Sequence, residues 1–108
     1  MVLYMTQFSY GAEAVAAMAK NPQDRSVGLK RLIENLGGRL IAIYFCFGDY
    51  DGVAIGEYPD GTTALATVMA ATGAGHIKAI KTTELFTMDE TIQAMKKAGA
   101  QMYAAPKA

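Results

Sequence analysis

Apolar and polar positions along the chain change their period several times, and each change marks an element. Val2-Leu3-Tyr4-Met5-Thr6-Gln7-Phe8 alternates strictly, which sends Tyr4, Thr6 and Phe8 to one face and Leu3, Met5 and Gln7 to the other and predicts a first strand. After Ser9-Tyr10-Gly11 an Ala-rich stretch to Lys20 predicts a short helix, and Asn21-Pro22 offers a restart, with Asn as cap and Pro in the first turn. The main helix follows, with Leu29, Leu32, Ile33 and Leu36 as its apolar stripe, Lys30, Arg31 and Glu34 outward, and Gly37-Gly38 as a left-handed stop. Arg39 to Phe47 is nearly continuous in apolar and aromatic residues and predicts a second strand covered on both faces, with a buried Cys46 inside it. Gly52 to Tyr58 alternates Val53, Ile55 and Glu57 against Gly52, Ala54, Gly56 and Tyr58, so one face of this third strand is mostly small and something approaches it closely.

Pro59 ends that strand and Asp60 is placed to cap a helix whose apolar stripe reads Leu65, Val68, Met69 and Thr72, ending at Gly73-Ala74-Gly75. A fourth strand spans about His76 to Phe86. Thr87-x-x-Glu90 is a capping box opening a last helix with Met88, Ile92 and Met95 on one stripe and Gly99 as its stop, and the tail Ala100 to Ala108 reads as a loose or docking end. The order is β-α-β-β-α-β with an added C-terminal helix, a ferredoxin-like α+β pattern in a single domain over residues 1–108. Its helices cover one sheet face and leave the other bare. With Tyr, Phe, Ile, Val and Leu spread over the strands, the bare face predicts a homodimer through the sheet faces, a dimeric α+β barrel, in which Ile41 or Ile43 points to the partner.

Composition narrows the function classes. Ten Lys plus Arg balance ten Asp plus Glu, so no overall field favours polyanions. The third strand lacks the basic and paired aromatic side chains that stack RNA bases, and the glycine pairs are helix stops without a phosphate-binding signature, so neither nucleic acid nor nucleotide is an expected partner. No apolar run reaches the roughly 18 residues needed to span a membrane, and no leader pattern opens the chain, so a cytoplasmic protein is expected. One Cys and one His at no ligand spacing predict neither metal nor cofactor. Hydrophobic residues make up 52% of the 108, more than one small core readily absorbs, which again points to an oligomer.

The most specific stretch is Gly48-x-Tyr50-Asp51 followed by Glu57-x-Pro59-Asp60. Together with Thr6, Gly11, Arg25, Gly37-Gly38, the aromatic-rich second strand and Gly75, it resembles the GYD domain family over most of residues 3 to 86, apart from Gly52, which stands where that family runs more often into β-branched residues. The resemblance implies a dimeric α+β barrel and a group that ranges from cofactor-free monooxygenases to isomerases and sensors, so it implies no single chemistry.

Candidate chemistry follows from side-chain type. Tyr50 and Asp51 can form a ligand-facing corner, although Asp between glycines is equally a turn-former. Glu57 shares a face with Val53 and Ile55 and must find a donor there or stay protonated. His76 is the only side chain whose ordinary pKa lies near neutrality, which makes it the acid or base candidate beside Tyr50 and Asp51. Tyr4, Thr6, Tyr44, Tyr50, Asp51 and Glu57 are the ligand-binding candidates. Two function classes stay open: a protein that binds or transforms a small apolar or aromatic molecule in a pocket between sheet and helices, and a non-catalytic dimerising or ligand-sensing module.

Overall fold

The computed structural model describes residues 1–101 and 104–106. Eight elements follow in order: β1 (Val2–Tyr10), α1 (Ala12–Lys20), α2 (Ser26–Asn35), β2 (Arg39–Phe45), β3 (Gly52–Tyr58), α3 (Gly61–Gly73), β4 (Ile77–Leu85) and α4 (Met88–Gly99). Of the tail, Gln101 and residues 104–106 carry no helix or strand, and 102, 103, 107 and 108 lie outside the described residues.

The four strands form one antiparallel sheet in the order β2-β3-β1-β4, so the central pair β1 and β3 joins the two halves of the chain. Register sorts the side chains. Tyr4, Thr6 and Phe8 stand opposite Gly56, Ala54 and Gly52 on one face, with Leu40, Ile43 and Phe45 of β2 and Glu84, Thr82 and Ile80 of β4 beside them. The close approach expected at β3 is made by its own neighbours: a Cβ on Gly52 would run into the Phe8 ring, with Cε2 at 2.7 Å, and one on Gly56 would meet the Tyr58 ring at 3.1 Å. This face receives α2 and α3, and Ile33, Tyr58 and Ala64 form the buried core between them.

The opposite face carries Leu3, Met5, Val53, Ile55, Ala42 and Tyr44, with the ion pair of Arg39 and Glu57 at its edge, and none of these side chains is buried. Ile43 lines the helix-covered side, and Ile41 is the extra residue of a β-bulge between Leu40 and Ala42, so neither is part of the regular bare face.

Several local expectations are met atom by atom. Asp60 Oδ1 accepts from the Thr63 backbone N–H at 2.8 Å and caps α3, and the bond from the Thr63 hydroxyl, with this backbone bond second, holds the carboxyl below its ordinary range. Thr87 and Glu90 exchange both bonds of a capping box at α4. Gly37 ends α2 at φ +86°, and Gly38 cannot be larger, because a Cβ there would stand 2.6 Å from the Glu57 carbonyl oxygen.

Four expectations are corrected. The main helix starts at Ser26, not at Asn21-Pro22, because Asp24 Oδ1 takes both the Ser26 N–H (2.9 Å) and its hydroxyl (2.6 Å) and places the turn there. The second strand ends at Phe45 instead of Phe47: the Cys46 N–H still reaches the Asp51 carbonyl at 2.8 Å, in register beyond Phe45 and Gly52, but the Asp51 N–H turns to the Phe8 carbonyl of β1 at 2.8 Å, so the β2–β3 ladder stops there. Cys46 is therefore exposed, its thiol donating to the Tyr50 carbonyl, where a buried thiol was expected. In α3 the inward face is made of Ala64, Thr67, Val68 and Ala71, while Leu65 and Met69 of the expected stripe are exposed. The helix is apolar nearly all round, so its pattern does not say which side packs, and the small side chains win because they let α3 lie close to the sheet.

Candidate functional site

Small inward side chains on α3 leave space between helices and sheet. A cavity of about 310 Å³ lies there, floored by Thr6, Phe8, Ala54 and Ile80, walled by Leu29, Leu32 and Ile33 of α2 and by Thr67, Val68, Ala70 and Ala71 of α3, and edged by Tyr10, Arg25 and His76. The lining is mostly apolar, and its volume falls near the lower end of the range of small-molecule sites, about 300–1,000 Å³.

Its polar groups are few and mostly engaged. Thr6 Oγ1 and Thr82 Oγ1 share a hydrogen bond of 3.2 Å across the β1–β4 pair, and the Thr67 hydroxyl donates to the Thr63 carbonyl at 3.1 Å. Burial pushes the Tyr58 phenol above its ordinary range, partly opposed by the Thr67 hydroxyl beside it. Tyr10 stacks on the His76 ring, with centroids 5.8 Å apart and planes 17° from parallel. Arg25 is the exception: its Nε is buried and, among the described residues, has no hydrogen-bond partner. Two more open hollows, of about 390 and 600 Å³, also border Arg25, one shared with Ile43 and Phe45 and the other with Tyr10 and His76.

The residues singled out from the sequence divide in place. Thr6 and His76 line the cavity. Asp51 supports it from behind: its Oδ2 accepts the Tyr10 backbone N–H at 2.8 Å and its own N–H donates to the Phe8 carbonyl at 2.8 Å, fixing the end of β1 from which Tyr10 reaches His76. Tyr50 sits in the same hairpin loop and accepts from Cys46 through its carbonyl. Tyr4 packs edge-on against Tyr58, with centroids 5.9 Å apart, in the core beside the cavity. Tyr44 (68% exposed) and Glu57 lie on the opposite sheet face, and Glu57 has found its donor in Arg39 Nη2 at 3.2 Å.

Arg25, Tyr10 and Thr67 were not among the site candidates. A signal for Arg25 was present: it has Asn21 and Leu29 at i−4 and i+4 and Pro22 and Gly28 at i−3 and i+3, so no carboxylate on its own helix neutralises it. Among the described residues no group of three His, Cys, Asp or Glu side chains could hold a metal ion, and no helix is long and apolar enough to cross a membrane.

The model of the GYD domain family matches residues 4–95, and the chain belongs to that family. Among solved structures, TTHA0845 from Thermus thermophilus is similar at a TM-score of 0.54 and 18% identity, over 81% of this chain and 95% of that one, a likeness of fold. An uncharacterized NIPSNAP-like domain protein from Burkholderia xenovorans gives 0.48 at 12% identity, over 80% and 84% of the two chains. A NIPSNAP domain protein from the same organism gives 0.46 at 16%, over 81% and 94%. No curated protein matches the chain.

Proposed function

We propose that this GYD-domain protein binds a small, largely apolar molecule between its sheet and its helices, and does so as one half of a homodimer joined through the bare sheet faces. The observation that carries the reading is the hollow itself: a partly open, mostly apolar space of about 310 Å³ between helices and sheet, within the size range of small-molecule sites. Its walls are specific in kind. Phe8, Ile80, Leu29 and Val68 supply apolar contact, while Thr6, Tyr10 and His76 place hydrogen-bonding groups at chosen points of the rim and floor. The homodimer is supported by the apolar face of β1, β2 and β3 that no helix of its own chain buries. The exposed thiol of Cys46 suits a reducing cytoplasm.

Thermal-shift and calorimetric titration with small aliphatic and aromatic compounds tests the pocket. Binding is expected for wild type and lost in Ala71→Phe, which fills the hollow from α3 while circular dichroism stays native. A wild-type protein that binds none of these compounds, or an Ala71→Phe variant that binds as tightly as wild type, overturns the reading.

A further inference from the structure

The charge content of the cavity selects among apolar ligands. Among the described residues Arg25 is the only charged side chain on its lining, with no Asp, Glu or Lys beside it there. Among the described residues no carboxylate pairs with Arg25, and its buried Nε is left without an acceptor. The adjacent Asp24 makes no ion pair with Arg25, and its Oδ1 is taken by the Ser26 N–H and hydroxyl.

A guanidinium N–H buried without an acceptor is costly, and its full complement is a planar oxyanion able to take two parallel N–H donors. Arg25 stands at the edge of an apolar hollow, its unpaired Nε shielded from solvent, and this gives the site one charged end and one greasy end. We infer that the ligand is an amphipathic organic carboxylate, whose head group pairs with Arg25 and whose hydrocarbon or aromatic body fills the space over Phe8, Ile80 and Val68. The assignment rests on the pocket reading above and specifies its ligand class. Tyr10 and His76 stand at the same rim, where their stacked rings narrow the approach to the head group.

The test uses matched pairs that share a skeleton and differ in charge: hexanoate and hexanol, octanoate and octanol, hydrocinnamate and hydrocinnamyl alcohol. Calorimetric titration of the full chain is expected to show each carboxylate binding about tenfold or more tightly than its alcohol, the order of a charge-assisted hydrogen bond. Arg25→Met is expected to erase that preference and leave alcohol binding in place, while Arg25→Lys retains part of it, since a point charge replaces the planar fork. Removing a buried unsatisfied donor should leave the melting temperature of Arg25→Met no lower than that of wild type, and Arg25→Lys supplies the same comparison if Met at this position impairs folding. Equal binding of acids and alcohols, or a preference that survives Arg25→Met, overturns the assignment and leaves the pocket standing. Binding of neither series defeats the pocket and the assignment together.

Discussion

Asp51 joins the hairpin loop to the site without entering the cavity. Its carboxylate holds the Tyr10 N–H at 2.8 Å, and Tyr10 in turn lies flat on His76. Asp51→Asn keeps an acceptor in the same place and is expected to leave stability nearly unchanged. Asp51→Ala strands a part-buried N–H and should cost about 1 kcal/mol or more, read as a lower urea midpoint at constant slope. Equal midpoints for the two variants would show that this bond contributes nothing. Tyr58 gives a prediction in pH. Burial raises its pKa, so its contribution is fully present below the ordinary phenol value of 10.0 and is lost as pH rises through the raised one. Urea midpoints of wild type should therefore fall more steeply above about pH 10 than those of Tyr58→Phe, and parallel curves would refute the linkage. At this scale the sequence makes the locally determined roles readable: Asp60, Thr87 with Glu90, and the need of Glu57 for a donor all follow from groups within a few residues or on the next strand. Thr67 was not readable as a site residue, and Arg25 was readable only as a charge without a carboxylate at helical spacing, because the hollow they share is made by α2, α3 and the sheet coming together.

Elements were legible in kind and order, and less so in where they end and which side they bury. Ends moved where a side chain captured a backbone group, as Asp24 does before α2, or where a backbone N–H left its ladder, as that of Asp51 does in turning to Phe8 at the end of β2. Side was misread in α3 because Leu65 and Met69 are the larger apolar residues, yet close approach to the sheet requires Ala64, Thr67 and Ala71 inward. The cavity is the direct result, since a helix packed through Ala and Thr fills less of the space before it. α4 is the opposite case: both caps of its N-terminus are made, yet none of its residues is buried, and Met88, Ile92 and Met95 are all exposed. In the isolated protomer its order then rests on capping and helix propensity alone. Thr87→Ala should remove about 1 kcal/mol from that local balance and speed amide exchange in 88–99 by a factor of roughly five, with exchange in β1 and β3 unchanged. Uniform acceleration across the sheet, or none in α4, would contradict this.

The whole molecule is longer than a closed domain of its size. Its Cα radius of gyration is 17.7 Å and its longest extent 58 Å, whereas about 13 Å is the usual radius for a compact chain of this length. Two helices, α1 and α4, pack broadly on none of the other elements and bury no residue of their own. A sheet of four strands spaced about 4.8 Å apart, with seven to nine residues at about 3.3 Å rise, presents a face of roughly 19 by 25 Å. Two such faces pressed together bury on the order of 1,000 Å², the least that a specific interface needs, while an obligate dimer takes roughly 2,000 Å² or more. The apolar stripe of α4 can supply the difference if it reaches onto the partner. Two variants separate these contributions. Ile55→Asp puts a charge in the centre of the bare face and should give monomers at micromolar concentration in sedimentation velocity, because a carboxylate there is desolvated without a partner. Truncation after Thr87 removes α4 and spares the sheet, so it should weaken the dimer by at least tenfold in dissociation constant while leaving strand content intact. Wild type sedimenting as a monomer would sink the sheet-face homodimer outright. A dimer that survives Ile55→Asp would put the contact on another surface, and one that is indifferent to the truncation would confine the interface to the strands.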